Sequence, residues 1–554
     1  MVIYQLFPRL FTNTSATFVP NGTIEENGVG KMNDIDATVL ASLKDLGVTH
    51  LWYTGIIEHA NKTDYSRYGI ASSNPHVVKG NAGSPYAIRD YYDVDPDIAV
   101  DVPNRIQEFK DLVNRTHEAG MKVIIDFVPN HVAREYGSDA KPAGVEDLGA
   151  TDDKGMFFSP TNNFFYITGK DFQPNVHLGL GEERYVEYPA KATGNDCYHE
   201  HPDVCDWYET VKLNYGVDPW NGCHHFSPIP PTWHKMCDIL LYWAAMGVDG
   251  FRCDMAHMVP VDFWHWAIAK VKEQYPEVVF IAELYDVNIY HNYIHYGGFD
   301  YLYDKVNLYD TLCAIVKNDA PASAITQCWQ RVEGVQDHML NFLENHDELR
   351  VAAPQLFGSA EAALPAVIVS ATMSKSPFMV YQGQELGEPA AGAIGFSGDD
   401  GRTSIFDYCT MPTVVRWYNG GKCGIQRLNN KERRIRAFYK KVLRMCNDLE
   451  AIREGAFFDL MYANYHSINP NKQYVYLRHT ASQTLVIAVN FSDADVHTAI
   501  DIPEHAFSFL GITPGRYFMK EMLSGKQKTV EFSPEAKFEL QIPAHGALVW
   551  EINY

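Results

Sequence analysis

Two acidic residues of this 554-residue chain stand where chemistry could be done. In Gly250-Phe251-Arg252-Cys253-Asp254 an apolar run closes on an arginine and an aspartate two residues apart, which on a strand project from one face. A guanidinium beside a carboxylate keeps it ionised and oriented, as a nucleophile requires. In Val278-Val279-Phe280-Ile281-Ala282-Glu283 a glutamate ends a wholly apolar run, where desolvation raises its pKa as a general acid needs. Alone, the first motif is as readily a structural ion pair and the second a solvated strand end. Together, as carboxylates of different environment, they are the minimum equipment for cleaving or transferring a glycosidic bond.

Two further polar clusters follow apolar runs. Phe342-Leu343-Glu344-Asn345-His346-Asp347 offers a histidine that can donate to a sugar hydroxyl and an aspartate that can accept from two. Asp126-Phe127-Val128-Pro129-Asn130-His131 clusters three polar groups in the same way. A polar loop start is the plain alternative for both.

The elements that must position these groups recur as amphipathic helix, glycine, apolar strand. Val39 to Leu46, Gly47 and Val48 to Tyr53 form one copy; Ile106 to Val113, Gly120 and Lys122 to Phe127 a second; Ile239 to Met246, Gly247 and Val248 to Asp254 a third. Glycine after a helix tolerates the left-handed conformation that stops it, and the apolar run that follows suits a strand buried on both faces. With Val2–Phe7, Val278–Glu283, Phe299–Tyr303, Met339–Glu344 and Phe378–Gln382, eight strands are predicted. Repeated βα units imply parallel pairing, and polar residues at the strand ends favour a (β/α)8 barrel. A doubly wound open sheet is disfavoured because no glycine-rich phosphate loop follows a strand. Residues 132–232 lack the repeat and read as an insert after the third strand. From 455 the alternation of Gln473–Arg478, Thr484–Asn490, Lys537–Ile542 and Leu548–Ile552 predicts a C-terminal antiparallel β-sandwich. The expected organisation is therefore barrel over 1–131 and 233–454, insert over 132–232 and sandwich over 455–554.

The composition, 46% hydrophobic and 21% charged, is that of a globular enzyme. A formal charge of −23 argues against nucleic acid and anionic membrane surfaces as partners and suits a neutral substrate, although net acidity that only keeps the chain soluble explains it at least as well. No apolar run reaches the roughly 18–20 residues of a membrane span. The opening Val2 to Phe7 reads as a buried strand and not as a signal peptide, so a cytoplasmic location is expected unless a leader has been removed. Cys197 and Cys205 are candidates for a bridge within the insert, with free thiols the stronger expectation.

The four polar segments, in order and spacing, resemble the motifs of the α-amylase family of glycoside hydrolases. Gly83-Ser84-Pro85-Tyr86 with Asp90-Tyr91, Val211-Lys212-Leu213-Asn214 and Pro377 to Glu385 resemble supporting segments, so the likeness runs over essentially the whole chain. It implies a retaining hydrolase of starch-like or malto-oligosaccharide substrates. Asp254 would be the nucleophile, Glu283 the acid/base and Asp347 the third acid; Arg252 would support Asp254, His131 and His346 would bind the same sugar, and Tyr86 would stack on its ring. Retention requires carboxyls ~5–5.5 Å apart. A 4-α-glucanotransferase would share every one of these residues and differ in which acceptor reaches the intermediate. A non-catalytic carbohydrate-binding relative is opposed by the intact acids.

The chain also departs from the family. Many members carry Lys and His three and four residues after the nucleophile, where this chain has His257 and Met258. His257 is kept as an acceptor-side candidate. Asn130 matches a calcium-ligating position, position 258 one that offers a backbone carbonyl, and an aspartate of the insert would complete the set. Structural Ca2+, an oxygen-ligand cation, is therefore the cofactor the resemblance implies, with no organic cofactor. The insert histidines His177, His199, His201, His224 and His225 lack zinc spacing and read as loop or sugar-binding residues. Trp207, Tyr208 and Trp220 are either sugar platforms or the insert's small core.

Overall fold

The computed structural model describes residues 1–176 and 185–554. Eight strands close into a barrel: β1 (Val2–Leu6), β2 (His50–Tyr53), β3 (Lys122–Phe127), β4 (Gly250–Cys253), β5 (Val279–Ala282), β6 (Tyr301–Tyr303), β7 (Met339–Phe342) and β8 (Phe378–Tyr381). Every pairing is parallel, and β8 returns to β1 with Phe378 opposite Val2. All eight predicted strands are present. Most are shorter than their apolar runs because the runs continue into the loops that carry the polar groups. The register sets Arg252 on β4 opposite Asp126 on β3 and Ile281 on β5.

Local sequence explains the repeat. Helix Ala37–Leu46 starts on Asp36, whose carboxylate accepts the Thr38 and Val39 N–H groups, and stops at Gly47 with φ of 113°. A Cβ at Gly47 would lie 3.0 Å from Leu443 of helix Asn430–Asp448, so the glycine also lets the two helices approach. Gly83, with φ of +72°, is tighter: a Cβ there would meet the Ala60 carbonyl oxygen at 1.7 Å. That approach delivers Tyr86 to the barrel mouth.

The insert leaves the barrel through strand His131–Ala133, which pairs antiparallel with Thr210–Lys212 and sets His131 opposite Lys212. A second small pair joins Tyr166–Ile167 to Ala190–Lys191. Buried Arg134, 2.6 Å from Glu187 and stacked 3.6 Å over the Phe172 ring, anchors the remainder. Cys197 and Cys205 are free thiols.

The C-terminal region holds a six-stranded antiparallel sheet, in the order Ala456–Asp459, Gln473–His479, Gln483–Asn490, Gly546–Asn553, Gly515–Glu521, Gln527–Phe532, beside the pair Val496–Ile500 and Phe538–Ile542. The strands the sequence did not announce (456–459, 496–500, 515–521 and 527–532) are largely exposed or half-buried, so they lack a continuous apolar face. The sheet is fastened to the barrel by Arg478, which donates to the Met373 carbonyl at 2.9 Å, and by the hydroxyls of Tyr476 and Thr372 at 2.6 Å. No helix among the described residues is long and apolar enough to cross a membrane.

The loop after β7 is pinned from within. Glu344 and Arg350 are both fully buried and meet at 2.9 Å. Glu344 also accepts the Val351 N–H at 2.7 Å, while Arg350 donates to the Gln382 carbonyl at 2.8 Å and to Thr403 at 3.0 Å. Removing the guanidinium alone would strand a carboxylate in the interior. Arg350→Met is therefore expected to cost about 3–5 kcal/mol of stability, read as a lower midpoint in a urea titration at unchanged slope; a midpoint equal to that of the parent chain would refute the pin.

Candidate active site

Arg252 lies at the centre of the barrel mouth and is completely buried. Its Nη1 donates to Asp254 at 2.7 Å and more weakly to Asp126 at 3.4 Å, and its Nε donates to the Tyr303 hydroxyl at 3.1 Å. Its Nη2 lies 2.8 Å from Glu283, a close ion contact outside good hydrogen-bond alignment. The rings of Trp52, Tyr86 and Tyr303 surround the guanidinium at 5.3 to 5.5 Å. One guanidinium thus holds both carboxylates that the sequence singled out.

Arg252 meets Asp254 as its spacing predicts and reaches Glu283 as well, without pulling the Asp254 carboxyl below the ordinary range. Burial pushes the Asp254 pKa up, Arg252 opposes the shift without reversing it, and the neighbouring Asp347 and Asp126 add to it. Glu283 is also raised, by burial first, with Arg252 opposing and Asp254 and Asp347 adding to the rise. The direction for Glu283 is the one its apolar strand predicts.

The turn after β4 links the two acids. Met255 adopts a left-handed conformation, φ 43° and ψ 44°, which costs a non-glycine residue roughly 1–2 kcal/mol. The gain is a donor: the Met255 N–H meets Glu283 Oε2 at 2.7 Å. The Tyr285 hydroxyl donates to Glu283 Oε1 at 2.6 Å, so both oxygens of the glutamate are fixed.

Asp347 faces this pair from the β7 loop. Burial acts to raise its pKa, but His346, Arg252 and Arg402 together bring it below the ordinary aspartate range. His346 Nε2 lies 3.0 Å from Asp347 Oδ2. Its Nδ1 accepts from Gln5 Nε2 at 2.8 Å, which leaves the ring proton on the side facing Asp347. The His346 ring stacks on Tyr86 at 5.0 Å, and Tyr86 donates to Asp126 at 3.3 Å. His131 is buried, its pKa pushed down to about 3 chiefly by desolvation, so it stays a neutral imidazole.

An open cleft of about 370 Å³ brings together Asp254, Glu283, Asp347, Tyr86 and His131. Its wall adds residues that sequence reasoning missed: Tyr285, Phe396 and Phe406 on loops, and Lys79 and Glu209, joined at 2.9 Å. Tyr285 was within reach, since it lies two residues beyond Glu283; Phe396 and Phe406 carry no sequence signal. Trp207 lines the cleft and tilts against His131 at 5.2 Å, whereas Tyr208 is buried core and Trp220 is exposed away from it. His257 stands behind the first ring, edge-on to Tyr285 at 5.9 Å. His177 lies outside the described residues. Among those described, the insert histidines join no group of three metal-ligating side chains; Glu58, Asp90 and Asp93 do form one, and there burial and the neighbouring carboxylates raise the Glu58 pKa to about 9.

The surroundings of Asn130 do not fit a metal ion. Asn130 is fully buried and donates through Nδ2 to the Gly194 carbonyl at 2.7 Å. Its Oδ1, the atom a cation would need, accepts from Lys212 Nζ at 2.5 Å.

Comparison with known proteins places this geometry in context. Residues 5–171 and 230–399 match the family described as "Alpha amylase, catalytic domain", and residues 465–553 match "Alpha amylase, C-terminal all-beta domain". The unmatched stretch 172–229 falls within the insert. Among curated relatives, alpha-1,4-glucan:maltose-1-phosphate maltosyltransferase of Cereibacter sphaeroides is 33% identical over 93 residues, 16% of this chain and 16% of that protein. Neopullulanase 2 of Thermoactinomyces vulgaris is 22% identical over 524 residues, 91% of this chain and 71% of that protein. The chain spans only 14% to 32% of the length of the first maltosyltransferases it matches. The noncanonic maltogenic alpha-amylase AmyB of Thermotoga neapolitana superposes with a TM-score of 0.63 at 19% identity, covering 100% of this chain and 99% of that one. The alpha-amylase GTA of Geobacillus thermoleovorans, solved with acarbose, gives 0.64 at 19% identity over 100% and 98%. At such identities these superpositions bear on the fold. The catalytic-domain match, by contrast, takes in more than half of the sequence, and the chain belongs to the α-amylase family.

Proposed function

We propose that the protein is a retaining glycosidase that cleaves α-glucosidic bonds of starch-like or malto-oligosaccharide substrates through a covalent glycosyl-enzyme. The observation that carries this reading is the shared grip of Arg252 on Asp254 and Glu283 at the floor of an open cleft. Two carboxyls held by one guanidinium are drawn toward each other, which supports a retaining pair, whereas an inverting pair is spread to admit a water between them.

Arg252 engages Asp254 through Oδ1, which leaves Oδ2 to attack the anomeric carbon. As that bond forms, the glycosidic C–O bond breaks and Glu283 transfers its proton to the departing oxygen. The glutamate, now ionised, takes a proton from an incoming water, whose oxygen displaces Asp254 and releases the sugar. Asp347, held ionised by His346, Arg252 and Arg402, accepts from hydroxyls of the distorted ring. His346 holds Asp347 from behind, its Nε2 3.0 Å from that carboxylate, while neutral His131 and the ring of Tyr86 line the cleft and meet the sugar.

One observation favours a second reading, transfer to a sugar acceptor. Trp207, Phe396 and Phe406 give the cleft an aromatic wall on which an acceptor could stack while water is kept out. Incubation with starch, maltotriose, sucrose and trehalose separates the two: shortened products indicate hydrolysis and lengthened ones transfer. NMR of the first product should show the α-anomer; β-anomer appearing first would exclude retention.

Two variants test the assigned groups. Asp254→Asn should lose turnover on malto-oligosaccharides by at least about 10²–10⁴-fold while keeping its circular dichroism, and full activity would remove Asp254 from the chemistry. The Tyr285 hydroxyl stabilises the ionised form of Glu283 and so lowers its pKa. Tyr285→Phe should move the alkaline limb of kcat/KM to higher pH, where the free enzyme loses its acid; an unmoved or lowered limb would separate Tyr285 from Glu283.

A further inference from the structure

The α-amylase fold carries the expectation of a calcium ion between barrel and insert, and three oxygens of this chain gather where that ion would bind. Asn130 Oδ1 comes from the loop after β3, Asp196 Oδ1 from the insert, and the Met258 carbonyl from the turn after the Asp254 strand. All three face one atom, Lys212 Nζ, at 2.5, 2.8 and 3.4 Å respectively. The Lys212 side chain is only 8% exposed. It hangs from the strand that pairs with His131–Ala133, and its own N–H is fixed by the Ala192 carbonyl at 2.9 Å.

An ammonium has three N–H donors and no acceptor, so three oxygens satisfy it completely. It brings one positive charge against the single carboxylate of Asp196, which leaves the group neutral. A divalent ion at this centre would have to expel the ammonium from its three oxygens or share the space with a like charge, and only one carboxylate would compensate it.

We propose that the Lys212 ammonium is a built-in cation that takes the place of the metal, so that this protein closes the junction of insert, His131 loop and Asp254 turn without calcium. The side chain does what a bridging ion does: it draws oxygens from three separate segments onto one positive centre. Being covalently part of the chain, it cannot be lost by dilution or chelation.

The test uses the full chain and needs no substrate. The unfolding midpoint of the parent protein should be the same in calcium chloride and in EDTA, and titration calorimetry should detect no calcium binding. Lys212→Ala should unfold at a lower midpoint in EDTA, recover in calcium, and bind one equivalent of the ion; the recovery should vanish in Lys212→Ala/Asp196→Ala. Lys212→Met, which keeps the apolar stem and loses the charge, should also be destabilised in EDTA, and provides the comparison if the alanine variant does not fold. The proposal is overturned if the parent chain binds calcium in a manner abolished by Asn130→Ala, if Lys212→Met is as stable as the parent, or if calcium fails to restore Lys212→Ala.

Discussion

A single buried cation organises the mouth of this barrel. Arg252 is removed from water, and moving an unpaired guanidinium inside would cost many kcal/mol, so its neighbours have to supply charge and hydrogen bonds. They come from four consecutive strands or strand ends: Asp126 at β3, Asp254 at β4, Glu283 at β5 and Tyr303 at β6. The cost of burying the arginine therefore becomes a positional constraint on both Asp254 and Glu283. It also explains why two carboxylates of elevated pKa tolerate each other. Each is partly neutralised by a charge that cannot move away, because three aromatic rings pack around it.

The electrostatic design is graded. Asp254 and Glu283 lie deep and share Arg252. Asp347 is shallower, with its side chain about a third exposed, and is served by its own histidine and by Arg402, which also donates to its backbone carbonyl at 2.7 Å. The three acids thus differ in depth and in countercharge, and such differences let identical functional groups hold different protonation states at one pH. Met255 adds a mechanical link, since its strained backbone delivers a hydrogen bond from the turn of one acid to the side chain of the other.

Much of this was legible in the sequence because barrel strands are short, buried on both faces and bounded by glycine stops. Val123-Ile124-Ile125 and Phe280-Ile281-Ala282 announce themselves, and the residues closing such runs fall at the mouth by topology. Asp254, Glu283 and Asp347 could be placed on that basis, whereas Tyr86 was reached only through the family resemblance of its Gly83-Ser84-Pro85-Tyr86 segment. The aromatic wall could not. Trp207 sits in a loop without periodicity, and Phe396 and Phe406 lie in a long segment after β8 whose path is set by contacts such as the buried guanidinium of Arg9 donating to the Ile405 carbonyl. The role of Lys212 escaped for a different reason. A lysine in a short strand reads as solvated, and only the fold brings an asparagine, an aspartate and a carbonyl around its tip. Likewise, the direction of the Asp254 pKa shift is set first by burial, which its neighbour Arg252 opposes without reversing, and burial is a property of the fold and not of the two-residue spacing.

Those walls are unequal in origin. Trp207 belongs to the insert after β3, and Phe396 and Phe406 to the segment after β8, while the acids belong to the barrel itself. Among the described residues no backbone pairing joins the two walls, and neither contributes a ligand to Arg252. Evolution can therefore lengthen, shorten or exchange either wall without disturbing the acids held by Arg252. In such a molecule the lining of the cleft and the acids at its floor are heritable traits written on separate stretches of the gene, free to change at different rates.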